Sequence, residues 1–300
     1  MSTTATTIFS PGLRSRRRLR GRPRLPVEAR RRRSYAARVD DALLITSPKN
    51  PIVARFQAAG SGDAKGLLLV EGRKLVAEAL AAGLELVEAA YDADRDVLGP
   101  LRAPLSRLGR NLHACTGKVF ARISAVTTPQ GVAVVARQPA WTDADLLGKG
   151  SPLVVVAAGV KEPGNLGALL RSAEAAGATG LLALRGGADP FREKAVRGSA
   201  GSIFRVPARA GVSPADLLVF LAEHGLALCV ADEAGDVDYL DADLRGPCAV
   251  LVGGEGEGIP EQLRAAAAQR LRVPMAGKVE SLNVAVAAGI VLYEARRQRR

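Results

Sequence analysis

Four apolar runs constrain this chain most: LVVVAAG from Leu153, GLLAL from Gly180, LALCVA from Leu226 and CAVLVG from Cys248. Each is short and continuous rather than alternating, which is how a strand covered on both faces reads. Helical stretches lie between them and have legible ends. NLGALLRSAEAAG has Asn165 as its expected N-cap and Gly177 just past its end. SPADLLVFLAEHG has Ser213 as N-cap, Pro214 at the first helical position and Gly225 as stop. PEQLRAAAAQ starts at Pro260. Strands alternating with helices predict an α/β fold with a parallel sheet over 153–300. In such sheets ligands sit at the loops leaving the carboxyl ends of strands.

Upstream, residues 41–138 read as a smaller α/β unit. It holds a strand at Leu67–Val70, a helix over Arg73–Ala82 closed by Gly83, the run LELVEAAY, a helical VLGPLRAPLSRLG and the run GVAVVARQ. A polar stretch, 139–152, is the expected linker. The 48% of hydrophobic residues is enough for a real core, and with only 11 aromatics that core must be aliphatic.

The net charge of +12 is uneven. Residues 1–40 carry twelve arginines against Glu28 and Asp40, so the body is nearly neutral. Arginine runs repel themselves and bury little, which predicts a disordered tail. It reads as a non-specific arm on nucleic acid, as an extension without a selected role, or as an organelle transit segment. Cys115, Cys229 and Cys248 form no CxxC pair, and an odd count fits a reducing cytosol. His113 and His224 complete no ligand set, so no metal is expected. No apolar run is long enough to span a bilayer, and a cytoplasmic protein without a membrane partner is expected.

Three loops at strand ends are unusual. In GVKEPGNLGALLR, Leu166, Leu169, Leu170 and Ala173 form an inward stripe, and Arg171 lies off it. The structural reading of Arg171 is an ion pair with Glu174, one turn on. The loop is neither GxGxxG nor GxxxxGK[ST], so a nucleotide-phosphate cradle is not indicated. LVGGEGEGIP lets backbone approach a ligand closely, while Glu255 and Glu257 would repel phosphate, so it suits a cationic or hydroxyl-rich ligand. VPMAGKVESLNVAVAA places Ser281 and Asn283 at the entry of an apolar helix, where one of them is expected to cap.

Together these stretches resemble the SpoU-type, TrmH-like ribose methyltransferases of the SPOUT superfamily. Asn165 to Arg171 is similar to the first motif, Asn-x-Gly-x-x-x-Arg, Gly253 to Gly258 to the second, and Val273 to Gly277 with Ser281 to Ala287 to the third. The resemblance implies a SPOUT domain with a trefoil knot, preceded by a small L30e-like α/β substrate-binding domain over 41–138. It implies S-adenosylmethionine as methyl donor, held around Gly253, Gly254, Val273 and Leu282. Arg171 would be the central catalytic residue, as a base or as a clamp on an RNA phosphate. Asn165, Glu255, Ser281 and Asn283 would order it or the reacting hydroxyl. The acceptor would be a ribose 2′-hydroxyl, so the partner is RNA, most often large-subunit ribosomal RNA, with Lys49, Arg55, Arg73 and Lys74 as phosphate contacts. Family members are homodimers through the C-terminal domain. A transfer-RNA methyltransferase and a non-catalytic ribosome-assembly factor are the alternatives.

Overall fold

The carboxyl-terminal half is built on a seven-stranded sheet in which every neighbouring pair is parallel. The structure is a computed structural model, and it describes residues 44–253, 258–278 and 281–300. The expected tail 1–40, Gly254 and Glu255 lie outside the described residues.

The first sheet contains β1 (Leu44–Ile45), β2 (Leu67–Glu71), β3 (Leu86–Asp92), β4 (Leu112–Cys115) and β5 (Val132–Arg137), in the order β1-β4-β3-β5-β2. It is mixed: β1, β4 and β3 run parallel, whereas β5 runs antiparallel to both β3 and β2. Helix α1 (Pro51–Ser61) begins at Asn50, whose side chain accepts from the Ile52 N–H, with Pro51 at the first position. Its Ile52, Val53 and Phe56 are buried together with Val119, Phe120 and Ile123 of α4 (Gly117–Ile123). Helix α2 (Arg73–Ala81) packs on β2 and β5, and α3 (Arg102–Ser106) is a short turn nearby.

The second sheet holds β6 (Leu153–Ala158), β7 (Gly180–Leu184), β8 (Ala208–Val212), β9 (Ala227–Ala231), β10 (Val237–Asp238), β11 (Cys248–Gly253) and β12 (Gln269–Arg272), in the order β10-β12-β9-β11-β6-β7-β8. The four apolar runs are its central strands, as their continuous hydrophobicity requires. The edge strands β8 and β10, and β12 beside β10, escape the sequence pattern because they are short and partly polar. One face is covered by α5 (Asp143–Leu147), α8 (Pro214–Glu223) and α9 (Glu261–Ala265), with Leu146, Leu217, Leu221 and Leu263 in one core with Val154, Val156 and Leu251. The long helices α6 (Pro163–Ala176) and α10 (Val284–Gln298) pack on each other, and α10 also lies against β11. Helix α7 (Glu193–Gly198) packs between α6 and β2, which joins the two sheets.

Two expectations change. The stretch 139–152 is more than a connection, because α5 forms inside it and buries Leu146 completely. Helix α6 starts earlier than the Asn165 cap implied: Pro163 occupies its first turn and Glu162 accepts from the Gly164 N–H. That frees the Asn165 side chain for a distant partner. Three of the terminal arginines have structural roles. Arg296 donates to Ala175 O, Arg297 pairs with Glu294, and Arg299 donates to Leu244 O, Ser151 O and Gly246 O. The last helix is thereby tied to the segments that precede β6 and β11.

The glycine of the first motif has a packing cause. A Cβ on Gly167 would lie 2.6 Å from Ala195 O and 2.7 Å from Gly198 C, so only a bare Cα lets α7 sit this close to α6. Among the described residues, no helix is long and apolar enough to cross a membrane.

Candidate active site

The start of α10 is a partition with a cleft on each side. On one side Gly253, Gly258, Val273, Met275 and Leu282 line a cavity of about 270 Å³, together with Ser281, Val284 and Ala287. On the other side Asn283, Ala285 and Val286 line a wider cleft of about 790 Å³ with Arg171, Arg205 and Tyr293. Adjacent residues along 281–287 thus face different cavities, as happens when a chain leaves an irregular loop and enters a helix.

Asn283 locks this geometry. Its Oδ1 accepts from the Ala285 N–H at 3.0 Å and caps α10, so of the two candidate caps it is Asn283 that serves. Its Nδ2 donates to Asn165 Oδ1 at 3.0 Å, across 118 residues of chain. The first and third motifs therefore meet through one side-chain hydrogen bond. Ser281 is exposed and belongs to the smaller cavity, away from the Arg171 side of the partition.

Arg171 is exposed and, among the described residues, has no hydrogen-bond or ion-pair partner. Its expected pairing with Glu174 does not form. Glu174 is held instead by Arg205, through Nε to Oε1 and through Nη2 to Oε2 at 3.1 Å. The Arg205 hydrogen bond keeps the Glu174 carboxyl below its ordinary range. A guanidinium without an acceptor among the described residues, facing a cleft, is set up to receive an anion.

The smaller cavity fits a sulfonium nucleoside. Val273, Met275, Leu282 and Ile259 give it apolar walls suited to an adenine, and at the end of β11 a Cβ on Gly253 would lie 2.7 Å from Ile259 Cγ1. Asp232 and Glu233, directly after β9, line the same cavity and can accept from hydroxyls or attract a cation. Asp232 is nearly buried and 3.0 Å from Arg264 Nε. Sequence reasoning missed Asp232, although a carboxylate just past a buried parallel strand follows the strand-end rule. It also missed Arg205, whose partners give no local signal.

The RNA contacts expected in the first half stand apart from both clefts. Arg55 is drawn to Glu88, with Nε 3.1 Å from Oε2, and Glu88 also meets His113 Nε2 at 2.7 Å. Lys49, Arg73 and Lys74 are exposed.

A parallel α/β sheet with a small apolar cavity at its strand ends, beside a cleft carrying an arginine unpaired among the described residues, suits a group-transfer enzyme. Residues 152–293 match the SpoU rRNA Methylase family, and residues 61–134 match the MRM3-like substrate binding domain. The chain is 31% identical over 264 residues to an uncharacterized tRNA/rRNA methyltransferase of Synechocystis, covering 86% of this chain and 95% of the relative. It is 40% identical over 142 residues to the 23S rRNA (uridine(2479)-2′-O)-methyltransferase of Streptomyces viridochromogenes, covering 46% of this chain and 50% of the relative. The crystal structure of the SpoU methyltransferase AviRb from Streptomyces viridochromogenes in complex with the cofactor AdoMet superposes with a TM-score of 0.77 at 30% identity, covering 84% of this chain and 98% of that one. The chain belongs to the SpoU rRNA methylase family.

Proposed function

We propose that this protein is an S-adenosylmethionine-dependent methyltransferase that modifies a ribose 2′-hydroxyl of large-subunit ribosomal RNA. The observation that carries the reading is Arg171, left without a partner among the described residues, in a cleft that shares one wall, the start of α10, with the apolar cavity. Support for the substrate comes from the relative's 23S rRNA activity and from the match to a substrate binding domain.

Gly253, Val273 and Leu282 would hold the donor, which supplies an electrophilic methyl group when bound. Asp232, missed in the sequence, joins them as a hydroxyl or cation partner. Arg171 acts as the clamp: five N–H donors and no acceptor suit bidentate hydrogen bonds to the phosphate beside the target ribose. Asn283, braced by Asn165, fixes the partition so that the hydroxyl oxygen and the methyl carbon meet in line. Ser281, on the donor side, is placed to accept from a donor hydroxyl or the attacking one. Glu255, in the glycine-rich loop, is retained as a candidate by the motif alone.

Lys49, Arg73 and Lys74 are the phosphate contacts of the first half, while Arg55 serves Glu88. The exposed Tyr293 and Val286 on α10 support a homodimer through the C-terminal domain. The return of the chain from β12 to pack α10 on α6 supports the family's trefoil knot. Three free, buried cysteines support a reducing, cytoplasmic setting.

The test is transfer of a labelled methyl group from S-adenosylmethionine to a large-subunit ribosomal RNA transcript, with mapping of the 2′-O-methyl site. One modified ribose is expected. No transfer, together with no binding of S-adenosylmethionine, would leave the assembly-factor reading in place. Transfer to transfer RNA alone would give the tRNA reading.

A further inference from the structure

Arg205 lies in the same cleft as Arg171 but is fully engaged, and its partners come from two places. Nη1 is 2.6 Å from Glu78 Oε2 on α2, while Nε and Nη2 hold both oxygens of Glu174 on α6. Glu174 is three residues from Arg171, the spacing at which helix side chains meet. The turn that delivers Arg205 is itself constrained. Ala200 has a φ of 50°, rare without glycine, and Gly201, at φ 98°, brings its bare Cα against α2: a Cβ there would lie 3.0 Å from Glu78 Cβ.

Building on the reading of Arg171 as the RNA-phosphate clamp, we propose that Arg205 is a positioning residue that sequesters Glu174, so that the Arg171 guanidinium stays open to RNA. Two effects follow from the geometry. A free Glu174 would compete for Arg171 as an internal anion, and it would add an unneutralised negative charge where the RNA backbone must lie. Arg205 removes both with one bidentate contact. Because its remaining arm is bonded to Glu78, the position of α2 in the substrate-binding half sets how firmly Glu174 is held. The helix that carries Arg73 and Lys74 is thereby linked to the catalytic helix through a single side chain.

The experiment compares the wild-type chain, Arg205→Gln, and Arg205→Gln with Glu174→Gln, using a large-subunit ribosomal RNA transcript and labelled S-adenosylmethionine, at low and at high salt. Arg205→Gln is expected to lower kcat/KM roughly five- to tenfold, as expected for an unscreened like charge near the phosphate site. The loss should shrink as salt rises, because the Debye length falls below the separation. Adding Glu174→Gln should restore kcat/KM to within about twofold, since the offending charge is gone. A purely structural link between α2 and α6 would behave oppositely: removing its second partner could not restore activity. If Arg205→Gln fails to fold by circular dichroism, Arg205→Met, which keeps the apolar stem without the charge, takes its place with the same rescue expected. A double variant that stays as impaired as the single one, or a loss insensitive to salt, overturns the proposal. Absence of transfer by the wild-type chain would instead refute the function it rests on, so the two failures are distinct.

Discussion

Arg55 and Arg171 are two arginines on two helices, and the molecule treats them in opposite ways. Arg55, on the first helix of the mixed sheet, meets a carboxylate on β3 and is held by it. Arg171, on the first long helix of the parallel sheet, has a carboxylate one turn away, but Arg205 has taken it. Neither outcome depends on the arginine. Each depends on whether the nearest carboxylate is already engaged. In the first half Arg55 is used up in holding the sheet; at the carboxyl ends of the parallel strands Arg171 is kept available.

The sharpest way to break this contrast is at the free arginine. Arg171→Lys keeps the charge but loses the planar fork, and methyl transfer should fall by at least roughly 100-fold. The melting temperature should stay within about 1 °C, because Arg171 bonds none of the described residues. Near wild-type turnover in a single-turnover assay would remove Arg171 from the mechanism.

The next effect lies in the first half and depends on pH. Burial alone would raise the Glu88 carboxyl, but hydrogen bonds from His113 and Arg55 outweigh it and hold it at about 2, below its ordinary 4.5. A depressed carboxylate stabilises the fold above its unfolded value and loses that contribution as pH falls through the folded one. Between about pH 4.5 and 2, stability on the order of 2 kcal/mol should therefore be lost through Glu88. Glu88→Gln should flatten that part of the acid titration followed by circular dichroism. An unchanged profile would show that the cluster does not hold Glu88.

Arg55→Ala should mirror Arg171→Lys with the signs exchanged. It should cost about 1 kcal/mol in a urea melt, since the Arg55 side chain is 53% exposed and the pair is screened. Transfer per folded molecule should change less than about threefold. A large loss of RNA affinity would return Arg55 to the RNA interface. Smallest of all, Lys74→Ala should weaken RNA binding only about two- to fivefold and reduce the salt slope of binding by about one. An unchanged slope would make Lys74 a solvated surface residue.

Much of the parallel half was legible because its cues are local. Continuous apolar runs marked the central strands, Ser213 and Pro214 marked a helix start, and Gly177 marked an end. Edge strands such as Ala208–Val212 were not legible, because an edge position does not demand hydrophobicity. The Asn165 cap was misplaced for a related reason. Asn165 is a good capping residue, but Pro163 two positions earlier already satisfied the helix start, and only the folded chain shows the Asn165 side chain turned toward Asn283.

The sequence by itself determined the alternation of strands and helices, which follows from short-range periodicity and turn chemistry, while the three motifs were legible through their resemblance to a known family. Tertiary structure alone decided how the charges are shared. Glu174 has Arg171 one turn away along its own helix and Arg205 31 residues away along the chain, and it bonds Arg205, which in turn reaches Glu78 across 127 residues. An ion pair between exposed helix neighbours gains little, whereas a bidentate fork held by a tight turn has lost most of its freedom before the bond forms.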